Sequence, residues 1–258
     1  MKCKFKIAIR FLAVLLLNIS IAQAQDEEAE GKNKYIHGGF AYASYGYTFD
    51  FGSELVGDLQ STGIMKGSNL PPFGINVGLG ADYLISKNYI IGANLHWLNY
   101  QNIINNNNEM TFGGNGGGFS AGYVVYGKFD WLIYPTIGYS MGSSDMSIRN
   151  TTDSLLYFGE YELEPFSTSD FNISNSNLDI AINAQKLIYF NNSFEKAFGM
   201  FFGIRIGYLP GLSQNNWNDA GGSEVKGLTS DNGSSFYIKL TIGGGGFLLK
   251  AEKGKKRW

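Results

Sequence analysis

The chain has 258 residues, enough for one large domain, with 35 glycines, 5 prolines, 15% aromatic residues and only 16% charged ones. An ordinary soluble domain carries about 25% charge, so this is an aromatic, glycine-rich, charge-poor chain, and its mean hydropathy of −0.11 excludes a body made of long apolar helices. A formal net charge of −2, one cysteine and two histidines argue against a nucleic-acid surface, which needs a basic face, against a disulfide framework and against a histidine-based metal centre.

The first element is a leader. MKCKFKIAIR carries Lys2, Lys4, Lys6 and Arg10 without an acid, FLAVLLLNISIA is apolar, and Ala22-Gln23-Ala24 supplies an A-x-A site. These are the three parts of a secretory signal peptide. The alternative is an anchoring helix, but Phe11 to Ala22 is 12 residues, against the roughly 20 that span a bilayer. Residues 1–24 are expected to leave after Ala24, taking Cys3 with them. Without the four leader cations the mature chain has 16 basic and 22 acidic residues, a net of −6. An acidic segment follows at 25–34, with Asp26, Glu27, Glu28 and Glu30. The far end, 251–258, is a basic tail, AEKGKKRW.

Between them, eight segments alternate with a period of two. The first is 35–51, YIHGGFAYASYGYTFDF, with small or polar residues opposite the aromatic side. In FGINVGLGADYLI (73–85), Phe73, Ile75, Val77, Leu79, Ala81, Tyr83 and Ile85 oppose Gly74, Asn76, Gly78, Gly80 and Asp82. YIIGANLHWLNY (89–100) sets Ile91, Leu95 and Trp97 against Gly92, Asn94 and His96. FSAGYVVYGKF (119–129) and WLIYPTIGYSMG (131–142) repeat the pattern. So do LDIAINAQKLI (178–188), MFFGIRIGY (200–208) and FYIKLTIGGGGF (236–247). A soluble sheet would show water a face of Lys, Glu and Thr; here that face is cramped with glycine. The apolar face is therefore expected outward, toward lipid, and the small face inward, toward the lumen of a narrow barrel.

Each segment is long enough for the roughly 9–11 residues of a membrane-crossing strand. The connections alternate: 52–72, 101–118, 143–177 and 209–235 are long and rich in Asn, Ser, Gly and Asp, while 86–88, 127–131 and 189–199 are short. This predicts an all-β, eight-stranded antiparallel up-and-down barrel over 35–250. Both termini lie at the short-turn rim, and the long connections face outside. Aromatics form two expected girdles. Tyr45, Tyr47, Phe49, Phe73, Trp97, Phe119, Tyr139, Tyr208 and Phe236 lie near the long connections; Tyr83, Tyr89, Phe129, Trp131 and Phe202 lie near the short turns. Pro135, in mid-strand, predicts a bulge or a lost ladder bond.

With this leader, these eight segments and the ending FYIKLTIGGGGFLLK, the chain resembles the small outer-membrane β-barrel proteins of Bacteroidetes-type bacteria. These are broadly similar to the OmpA/OmpX barrels and to porin-family proteins. The resemblance implies a monomer in the cell outer membrane of a Gram-negative cell. It would be inserted by the barrel assembly machinery, in contact with outer-membrane lipid and lipopolysaccharide. Such barrels often end on an outward aromatic that the machinery recognises. Phe247 falls on the inward parity instead, so either a bulge among Gly243–Gly246 shifts the phase or the insertion signal is atypical.

No HExxH, CxxC, GxGxxG or Walker loop occurs, and no cofactor is expected. GGNGGG (113–118) reads as a loop leading into a strand and GGGG (243–246) as a bend in the wall. Asp82, Asn94, His96, Asp179, Asn183, Gln185, Arg205 and Lys239 all fall on the inward parity. They form either the lining of a narrow channel or a sealed polar network in which two acids balance two bases; the second is expected, because buried charges must find partners. The anions expected for Arg205 are Asp179 and Asp82. An outer-membrane lipid-modifying enzyme would need His, Ser and an acid together at the membrane interface, whereas His96 points inward beside Asn94. The stretch 153–166, DSLLYFGEYELEPF, alternates Tyr161 and Leu163 with Glu160, Glu162 and Glu164, the pattern of a short external strand extending the barrel. Its two readings are a binding surface for cations or host molecules and a solvated loop, of which the solvated loop is expected. Asp153-Ser154-Leu155 resembles the three-residue O-glycosylation signal of Bacteroidetes, which marks Ser154. The sequence thus points to a non-enzymatic barrel, structural or presenting its loops; its external ligand is not legible.

Overall fold

Alternating residues put two unlike faces on each strand, and antiparallel pairing then closes these strands into a ring. The computed structural model describes residues 35–50, 73–86, 88–100, 103–105, 108–127, 130–158, 161–192, 196–213, 215–226 and 234–249. The leader with its cleavage site at Ala24, the 25–34 segment, Phe129 and the 251–258 tail lie outside them. Twelve strands follow in order. They are β1 (Tyr35–Asp50), β2 (Gly74–Ser86), β3 (Tyr89–Asn99), β4 (Ile103–Asn105), β5 (Asn108–Tyr123) and β6 (Trp131–Asn150). Then come β7 (Leu156–Phe158), β8 (Tyr161–Leu163), β9 (Thr168–Asn192), β10 (Lys196–Leu209), β11 (Asn218–Asp219) and β12 (Ser235–Leu249).

Eight of these make the wall, in the order β1-β2-β3-β5-β6-β9-β10-β12, and β12 pairs back to β1. Every pairing in the wall is antiparallel, each joining successive wall strands except the β1–β12 pairing that closes the ring. The fold is an eight-stranded antiparallel up-and-down barrel, with no free edge left in the ring.

The predicted faces hold. Tyr45, Val77, Leu79, Leu95, Trp97, Ile137, Ile204 and Leu240 are exposed on the outside. Inside, Ser44, Asn76, Asp82, Asp179, Arg205 and Lys239 are buried. Such an outer surface is stable only in hydrocarbon, where closure satisfies every backbone group of a sheet. Of the two aromatic girdles, all described members are exposed except Phe49, which is half-buried. Phe190 and Phe198, 65% and 60% exposed near the short turns, extend the lower one.

The interior is stacked in layers. Toward the short turns sits an apolar plug of Phe40, Leu84, Ile90, Val124, Leu132, Leu187, Phe201 and Phe247. The polar residues lie above it. Glycine on the inward face makes room for large neighbours: a Cβ at Gly80 would strike the Tyr42 ring, and one at Gly207 the Tyr237 ring.

One local expectation is met and three need adjusting. Pro135 does coincide with a bulge: the β5–β6 register runs to Gly122↔Thr136 and resumes at Tyr126↔Ile133, three residues facing two. The register through Gly243–Gly246 is unbroken against both β1 and β10, so no phase shift occurs there and Phe247 is buried inward. GGNGGG is not a loop but part of β5, and much of 101–118 and 143–177 is strand. The 153–166 stretch does not extend the barrel; β7 and β8 form a separate two-stranded hairpin.

The strand extensions invert their polarity. Along β6 the outward residues are apolar from Trp131 to Met141, a run of roughly 33 Å along the strand and about 25 Å along the axis at the usual tilt near 40°. Beyond it, Asp145 and Arg149 face outward while Met146 and Ile148 are buried inward. On β9, Asp170 and Asn172 are outward and Phe171 and Ile173 inward; on β5, Met110 and Phe112 are inward. The upper core therefore has a polar outside, as a protein in water does.

Candidate functional site: the luminal network and the platform above it

All eight sequence-assigned residues face the lumen. Asp82, Asp179, Asn183, Gln185, Arg205 and Lys239 are buried, and Asn94 and His96 are half-buried. The six buried ones divide into two groups. In the first, Arg205 on β10 pairs with Asp179 on β9 at 2.7 Å. Tyr237 on β12 completes the triangle, accepting from Arg205 Nε at 2.9 Å and donating to Asp179 Oδ1 at 2.7 Å. Lys239 has no described carboxylate partner; its Nζ lies 4.9 Å from the centre of the Tyr237 ring, a cation–π contact.

In the second group Asp82 accepts from the Tyr134 hydroxyl at 2.7 Å, and Gln185 Nε2 donates to the same hydroxyl oxygen at 2.8 Å. Asn183 donates to the Tyr134 carbonyl and to Thr136 Oγ1, each at 3.3 Å. Of the two anions expected for Arg205, Asp179 is its ion-pair partner, and Asp82 is held by a tyrosine instead. The simple balance of two acids against two bases is replaced by one ion pair, one aromatic-capped lysine and one tyrosine-capped aspartate.

Composition reasoning missed the three tyrosines that organise this, Tyr42, Tyr134 and Tyr237. Each falls on the inward parity of its strand; Tyr42 lies opposite Gly80 and Gly243 and Tyr237 opposite Gly207, which was the available signal for those two, while Tyr134 lies opposite Asn183. The space left is small. A cavity of about 20 Å³ is lined by Asn76, Asn94, His96, Asp179, Arg205 and Lys239 among others, room for a water or two and no larger solute. His96 reaches this cavity, on the inner side of the wall.

Above the network lies the second core, Met110, Phe112, Met146, Ile148, Leu163, Phe171, Ile173, Trp217 and Val225. It is covered by the β7–β8 hairpin, through Leu156, Tyr161 and Leu163, and by the 215–226 segment, which pairs to β9 through β11. The hairpin is anchored by Asn150, whose side chain is fully buried. Its Nδ2 donates to the carbonyls of Ser154, Leu163 and Glu164, and its Oδ1 accepts from Thr152 N at 3.0 Å. Ser154 is exposed at this loop.

No protein-family model matches the chain, and no curated protein does. Solved structures are similar in fold. The attachment invasion locus protein Ail of Yersinia pestis is 7% identical over 84% of this chain and 99% of that chain, with a TM-score of 0.39. The N-terminal β-barrel domain of Pseudomonas aeruginosa OprF gives 10% identity over 84% and 99%, with a TM-score of 0.34. The outer membrane protein OprG of the same organism gives 9% over 86% and 100%, with a TM-score of 0.36. Likeness at this level concerns the fold alone.

Proposed function

We propose that this chain is a non-enzymatic outer-membrane barrel whose sealed wall carries a folded platform on the cell surface, and that the platform is its interaction surface. The observation that carries this reading is the polarity inversion along β5, β6 and β9. A barrel used only as a wall needs no second, water-side core. The filled lumen supports the sealed reading over a channel. The position of His96, inside the lumen and away from the bilayer, speaks against lipid modification. Secretion by the leader, insertion by the barrel assembly machinery, a monomeric state and a Bacteroidetes-type origin belong to the same proposal.

The test has two parts. In planar bilayers the purified protein is expected to give no stable conductance; discrete channels would replace this reading with the pore. On intact cells, an epitope inserted after Thr152 should be labelled and one after Trp258 should not; the reverse would invert the topology. Mass spectrometry of the tryptic peptide holding Ser154 tests its O-glycosylation, with a glycan-sized mass addition lost in Ser154→Ala.

A further inference from the structure

The hairpin that covers the platform has two faces. Pairing sets Leu156 opposite Leu163 on one side, and Tyr157 opposite Glu162 on the other. The first side faces the core. The second faces water, and it sets exposed apolar side chains beside carboxylates.

On that outer side two rows run side by side. One strand presents Leu155 and Tyr157, 45% and 58% exposed. The other presents the exposed Glu162 and Glu164. Beyond them Phe166 is 68% exposed, with a backbone φ of 56°. A bulky non-glycine residue in the left-handed region is uncommon and is held only where the surroundings impose it. Here they do. Phe166 N donates to the Thr152 carbonyl at 3.2 Å, and Ser167 donates from both its N and its Oγ to the Glu164 carbonyl. The Asn150 carboxamide holds the same two stretches together from beneath. An apolar row, an acidic row and a braced aromatic are thus displayed on a stiff support, with no described residue covering them.

We infer that this outer face of the β7–β8 hairpin docks an extended polypeptide segment carrying alternate basic and apolar residues. The inference rests on the reading of the platform as the interaction surface and names its partner class. Glu162 and Glu164 sit two residues apart on one face, the spacing at which an extended chain presents every second side chain. A strand standing edge-on between the two rows points its Lys or Arg side chains to the glutamates and its apolar side chains, on the opposite side, to Leu155 and Tyr157. The acids would repel phosphate or sulfate groups, which disfavours lipid headgroups and sulfated glycans. The apolar row gives a bare cation nothing to contact.

The experiment uses the full chain in an uncharged detergent. A ten-residue peptide alternating lysine with valine is titrated by calorimetry, beside a counterpart with glutamate for lysine. The lysine peptide is expected to bind, more weakly as salt rises, and the glutamate peptide not to bind. Glu162→Gln with Glu164→Gln should weaken binding at least tenfold, and Tyr157→Ser several-fold. Each variant should keep the heat-modifiable gel shift and the protease resistance of its loop. Failure of the wild type to bind the lysine peptide would overturn the proposal. So would equal binding by the Gln variant, binding of the glutamate peptide or of sulfated dextran, or dimerisation in micelles that Tyr157→Ser abolishes. Binding by the purified protein but not by intact cells would leave the docking face standing and refute the cell-surface display on which its use depends.

Discussion

Tyr237 donates its hydroxyl to Asp179 at 2.7 Å while the same oxygen accepts from Arg205, so one phenol ties both members of the ion pair to a third strand. This makes the triangle, rather than the ion pair, the unit whose loss matters. Tyr237→Phe keeps the ring over Lys239 and Gly207 and removes only the hydroxyl. It is expected to cost about 1–3 kcal/mol, the range for leaving buried partners unsatisfied, read as a lower urea midpoint in micelles.

Arg205→Ala should cost more, about 3–5 kcal/mol, because Asp179 is left charged and uncompensated. Adding Asp179→Ala should then cost less than the two single changes summed. Additivity in that double-mutant cycle would show the two side chains to be energetically independent. If Arg205→Ala leaves the midpoint unchanged yet opens a conductance, the network is a gate and not a plug.

Gly207→Ala should destabilise the barrel by about 1–3 kcal/mol, the usual cost of overpacking, since the new methyl meets the Tyr237 ring. The damage should largely vanish in a Tyr237→Ala background. A penalty of equal size in both backgrounds would locate the strain elsewhere.

The platform should fail without the barrel failing. Phe171→Ala removes a fully buried ring from the upper core and should cost that core about 3–5 kcal/mol. Asn150→Ala should leave three carbonyls without their shared donor. In both variants limited proteolysis should cut 151–167 faster, while the gel shift of the folded barrel persists. Loss of the shift would mean that wall and platform fold as one unit.

How much of this was legible follows from one rule applied over half the distance it holds. The period of two placed Ile204 outside and Arg205 inside, and with them the barrel and the eight luminal polar residues assigned from the sequence. The reading stopped at Met141 because it looked for apolar residues on the outward side, and beyond that point the outward side is Asp145, Ser147 and Arg149. The period itself continues: Met146 and Ile148 hold the same inward parity as Ser140. The glycines of 113–118 erase contrast between the faces, so the alternation becomes visible only from Phe119, six residues after that run begins. The tyrosine caps were hidden differently. Pairing Asp82 with a tyrosine on β6 depends on how eight strands converge in cross-section, which no single strand's alternation reveals.

The inversion has a consequence for the chain before it is inserted. In a fully extended β6, the apolar residues from Trp131 to Met141 lie on one side and Met146 and Ile148 on the other. No single side of that long ribbon is apolar from end to end. A flat, uniformly greasy strand is the template on which chains stack edge to edge. Here the stretch that would stack well in one register is continued by charges and serines that would not. The requirement for two different solvents thus sets a built-in limit on the length over which two unfolded copies can zip together.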